Sequence, residues 1–101
     1  MKTKFSDQQL STILDQSLIY QCACPAQVAK HLIELRDLYA FQQSCLNQTE
    51  TDTAVHQRIA SSAEGAHDTL EECLEAVLML ENWDMKTLRM PSTLQKTLRA
   101  I

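Results

Sequence analysis

The sequence predicts an all-α fold: an antiparallel bundle of three main helices, at about 6–21, 25–47 and 52–82, with a short C-terminal helix at about 92–100. Three observations predict it. Glycine occurs once and proline twice in 101 residues, and strands with tight turns need both more often than that. Apolar residues recur at three- and four-residue steps over two long stretches. The polar run Asn47-Gln-Thr-Glu-Thr-Asp52 supplies one clear turn between those stretches. Residues 1–101 read as a single domain, since a chain of this size supports one modest core.

Helix one opens at Ser6-Asp-Gln-Gln9, the capping-box pattern in which a serine hydroxyl and a glutamine side chain satisfy each other's backbone amides. Leu10, Ile13, Leu14 and Leu18 continue it on one face. Pro25 forces a break, because the residue before proline avoids the helical region, and proline itself suits a first helical turn. Helix two then carries Val28, Leu32, Leu35, Tyr39, Gln42 and Leu46 in a heptad seam. Helix three carries His56, Ile59, Ala63, Ala66, Leu70, Cys73, Val77 and Leu80 at the same alternation. In that register His56 stands opposite Gln42, which predicts a polar layer near the turn. Trp83 marks the end of helix three. Leu94, Leu98 and Ile101 place a last apolar face on the terminal helix.

Charge is uneven along this scaffold. The net charge is −4, which disfavours a binder of phosphate backbones. Residues 50–84 hold nine acids against Arg58 alone, whereas 85–101 hold Lys86, Arg89, Lys96 and Arg99 and no acid. The expected arrangement is a basic tail, 85–101, folded over the acidic helix. Four bases are too few to argue for nucleic acid or an anionic membrane. The longest aliphatic run, Val77-Leu-Met-Leu80, is far too short to span a bilayer. The lysines at the start have no apolar stretch behind them, so no secretory leader is read there and a cytoplasmic location is expected.

Glycine scarcity also removes the phosphate-cradling and dinucleotide-binding loops, which need several glycines in one turn. Catalysis has little support. Glu64-x-x-His67 fits half of a diiron carboxylate pattern, but His31-x-x-Glu34 on helix two runs in the reverse order. Ser61 and Ser62 lack a glycine-framed nucleophile turn.

The cysteines raise the sharper question. Cys22-Ala-Cys24 precedes Pro25, and a hairpin turning near Thr49 sets Cys24 level with position 74, beside Cys73. The same reflection sets His31 level with His67. Cys45 falls about 30 Å from Cys24 at a rise of about 1.5 Å per residue, so it cannot join within one chain. Cys22, Cys24 and Cys73, with His31 or His67, form a candidate site for zinc or Cu(I). Cys24 at a helix N-terminus is alternatively a reactive thiol. Buried packing is the plainer reading of all three cysteines, and the expected protein needs no cofactor.

Two functions follow. The first is a non-catalytic interaction or regulatory module that self-associates, most simply as a homodimer, because a long hairpin under one short helix leaves Ile33, Phe41, Leu74, Leu78 and Trp83 in search of cover. The second is a thiol-based metal or redox protein built on the Cys22–Cys24 corner with Cys73.

Overall fold

The computed structural model describes residues 1–18 and 23–92. It is an all-α bundle. Helix α1 spans Asp7–Asp15, a 3-10 turn follows at Gln16–Leu18, α2 spans Cys24–Ser44 and α3 spans Glu50–Leu80. The terminal helix expected at 92–100 lies outside the described residues, apart from Ser92. At about 1.5 Å per residue the 31 residues of α3 extend about 46 Å. That one helix sets the long axis of a molecule measuring 56 × 25 × 17 Å.

Local chemistry fixes the element boundaries. The capping box forms: Gln9 N donates to Ser6 Oγ at 3.1 Å, and Ser6 N donates to Gln9 Oε1 at 2.8 Å. α1 stops well before residue 21, because the Gln16 N–H donates back to Ile13 O and tightens the helix into the 3-10 turn. Gln16 is turned inward, and its Oε1 accepts from Met90 N at 3.3 Å. α2 begins at Cys24 with Pro25 in its first turn. Thr49 caps α3, its Oγ1 accepting from Asp52 N at 3.0 Å.

The far end of α3 closes in a Schellman motif. Trp83 N donates to Leu78 O at 2.9 Å, and Asn82 N donates to Met79 O at 3.1 Å. The left-handed residue this motif requires is Asn82, at φ 59°, where a short polar side chain is tolerated. Beyond it a compact turn is pinned by Asp84, whose Oδ1 accepts from Lys86 N at 2.8 Å and Thr87 N at 3.0 Å. These bonds hold the Asp84 carboxyl below its usual range. The turn folds Leu88 and Met90 into the core.

The core sits at one end of the hairpin. Phe5, Leu10 and Ile13 from the N-terminal part meet Ala26, Ala29 and Leu32 of α2 and Leu74 and Leu78 of α3, with Trp83, Leu88 and Met90 closing the base. Three expected interface residues, Leu74, Leu78 and Trp83, therefore lie in the protein's own core. α1 and the returning 83–90 segment cover the surface that would have been left bare. Ile33 is half-buried against the same cluster.

The seam of α3 is rotated by about one residue from its expected register. The buried line is Ala60, Ala63, His67, Glu71, Leu74 and Leu78, whereas Ala66 and Leu80 are exposed. Two polar residues stand on the inward face. The expected layer of His56 and Gln42 does not form: His56 Nδ1 lies 2.7 Å from Asn47 Oδ1, and Gln42 Oε1 is buried without a partner. Among the described residues of the basic tail, Lys86 and Arg89 form no ion pair.

Candidate functional site

The inward polar residues of α3 are explained by Arg36 of α2. Its guanidinium donates from Nε to His67 Nε2 at 2.9 Å and from Nη1 to Asp7 Oδ1 at 2.6 Å. From Nη2 it donates to Phe5 O at 2.6 Å and to Glu71 Oε2 at 3.1 Å. The same Glu71 oxygen accepts from Lys4 N at 2.7 Å and Phe5 N at 3.1 Å. One arginine and one glutamate thus clasp the N-terminal segment to both long helices. Lys4 Nζ adds an exposed pair with Glu75 at 3.4 Å.

Burial makes this clasp unusual for so small a protein. His67 is 0 % exposed and Glu71 2 %, and the Arg36 side chain is 14 % exposed. Buried charges persist only when paired and hydrogen-bonded, and here every nitrogen of the guanidinium has an acceptor.

The clasp also fixes the chemistry of His67. Arginine stays protonated and can only donate, so Nε2 must be the lone-pair nitrogen and Nδ1 must carry the proton. Nδ1 is buried without a hydrogen-bond partner, lying 3.7 Å from Glu71 Oε1. Burial pushes the His67 pKa below its ordinary 6.5. Glu71 pulls the other way, Arg36 lowers it further, and Asp68 raises it.

His67, Asp68 and Glu71 place ligand atoms within 4.8 Å of one another, and they form the one such group among the described residues. The geometry does not suit a cation. A metal on Nδ1 would displace the imidazole proton to Nε2, where it would face the Arg36 N–H across 2.9 Å. Donor would oppose donor. The residues fit a clasp better than a metal centre.

Among the described residues, Cys24 and Cys73 do not join His31 or His67 in a group of three ligand atoms within 4.8 Å. Cys24 is exposed at the first residue of α2, Cys73 is half-buried on α3, and Cys45 is half-buried beyond α2. Cys22 lies outside the described residues. His31 is exposed and sits 3.7 Å from Glu34 on its own helix, while His67 faces Arg36.

Sequence reasoning missed Arg36, Glu71 and Asp7. Reflection about Thr49 compares backbone heights, yet side chains on a helix lean toward its N-terminus. The long Arg36 side chain leans toward the base of the hairpin and reaches His67 and Glu71, more than a turn from its own level. A signal was available: His67 and Glu71 are four apart on the Ala60–Ala63–Leu74–Leu78 stripe. Helix two offers an arginine on the Ala29–Leu32 face to meet them.

Comparison with protein-family models, with curated proteins and with solved structures finds no match to this chain. No helix among the described residues is long and apolar enough to cross a membrane.

Proposed function

We infer that the protein is a non-catalytic interaction module that self-associates through the outer arm of the α2–α3 hairpin. The observation that carries this is a set of large apolar side chains left in solvent there. Phe41 is 63 % and Leu46 75 % exposed, and Leu38 and Val55 are also exposed. Large apolar side chains left in solvent on one part of a small protein mark a candidate association site.

The arm offers two shallow depressions. One lies between the helices, lined by Leu35, Leu38, Ala66 and Leu70 with His31 and Glu34 at its edge. The other is formed on α3 by Ala54, Val55 and Ile59, flanked by Glu50 and Arg58. Two hairpins laid together along their arms make a four-helix bundle, which gives each helix the neighbours it lacks. The expected interface thereby keeps Phe41 and moves outward from Leu74, Leu78 and Trp83.

The buried polar cluster supports a structural role over a catalytic one, because every nitrogen of the Arg36 guanidinium and the Glu71 Oε2 are engaged in tying the N-terminal segment to α2 and α3. The test is sedimentation of the wild type and of Phe41→Asp. The expected wild-type mass is that of a dimer, and the variant should sediment as a monomer with unchanged helical circular dichroism. A wild type that stays monomeric at the highest soluble concentration overturns the reading.

A further inference from the structure

We propose that His67 is an acid-sensitive latch: on protonation its ring expels the Arg36 guanidinium and releases residues 4–7 from α3. Among the described residues, the hydrogen bonds that tie this segment to α2 and α3 run through Arg36, Glu71 or the exposed Lys4–Glu75 pair. Phe5 O and Asp7 Oδ1 accept from Arg36, and the Lys4 and Phe5 amides donate to Glu71. Arg36 is itself oriented by the lone pair of His67 Nε2. A proton taken from solvent onto Nε2 consumes that lone pair and sets two N–H groups against each other beside a fully buried ring. The guanidinium must move, and the segment loses both of its Arg36 bonds.

The charged groups around the ring set the balance. Arg36 from α2 and the amino terminus of the N-terminal segment oppose protonation, while Glu71 and Asp68 on α3 favour it. Asp7 of α1 acts through Arg36. The native state therefore favours the neutral ring, whereas in the unfolded chain the histidine takes a proton near 6.5. Stability from the latch is fully present above that pH and is lost as pH falls below it, because the unfolded state then binds more protons. Phe5, buried in the core, leaves with the segment, so acid opens an apolar cleft beside α3.

The experiment is amide exchange by NMR between about pH 8 and about pH 5, with rates converted to protection factors. It is run on the wild type and on His67→Gln, whose amide oxygen accepts from Arg36 at every pH. The wild type should lose protection at Lys4 and Phe5 by about tenfold per pH unit once protonation begins, with α2 and α3 still protected. His67→Gln should hold its protection. The proposal is overturned if wild-type protection survives to the acid end, if the variant loses it equally, or if α2 and α3 open at the same pH. Should the variant not fold, the ring nitrogen shifts of the wild type decide. The Nδ1–H tautomer must convert to imidazolium at the pH where Lys4 and Phe5 lose protection, and separate midpoints overturn the latch.

Discussion

At the base of the hairpin α2 turns Ala29 and Leu32 toward the side that holds Leu74 and Leu78, and α1, Phe5 and Trp83 complete a shell around them. Further out the same two helices bury Gln42, Ala60 and Ala63, and Phe41, Leu46 and Val55 point into solvent. The base is held by large side chains, each worth about 1.5–3 kcal/mol when fully buried. The arm brings its helices together through alanines, which permit close approach but bury little area. One continuous pair of helices thus serves two purposes: a base that folds by itself, and an arm whose apolar side chains are left for another surface.

The sharpest way to break this contrast is at the clasp. Glu71→Ala leaves the Arg36 charge in a largely buried site without its buried counter-charge, and should cost about 3–5 kcal/mol in urea unfolding at neutral pH. Next, Leu78→Ala at the base should cost about 2–5 kcal/mol, while Phe41→Ala on the arm should stay within about 0.5 kcal/mol for the monomer. Equal losses at the two sites would mean that the arm is covered after all. The smallest expected effect is a gain. Gln42→Leu removes a buried carbonyl oxygen that has no donor, and should raise stability by about 1 kcal/mol in the same assay.

What was legible in the sequence was what neighbouring residues decide among themselves. The Ser6–Gln9 box, the Pro25 start and the end of α3 just before Trp83 each depend on chemistry within a few positions, and each is found at or within about two residues of where the pattern puts it. The rotation of the α3 seam was not legible, because periodicity counted apolar residues and left His67 and Glu71 outside. Their inward placement depends on Arg36, far away in sequence, and on the direction in which a long side chain leans. The same limit applies to Leu74, Leu78 and Trp83. Their surroundings depend on where α1 and residues 83–90 pack, and spacing within one helix carries no information about that.

The guanidinium of Arg36 serves four acceptors at once: His67 Nε2, Asp7 Oδ1, Phe5 O and Glu71 Oε2. A planar fork of fixed geometry can do this, and a lysine with its single nitrogen cannot. Positions 7, 36, 67 and 71 are therefore one unit of inheritance rather than four. A change at one alters what the others tolerate, so their effects do not add. Among descendants of a common ancestor the set should be kept whole or exchanged whole. An intermediate holding the arginine without its acceptors would carry a stranded buried charge, and few lineages would pass through it.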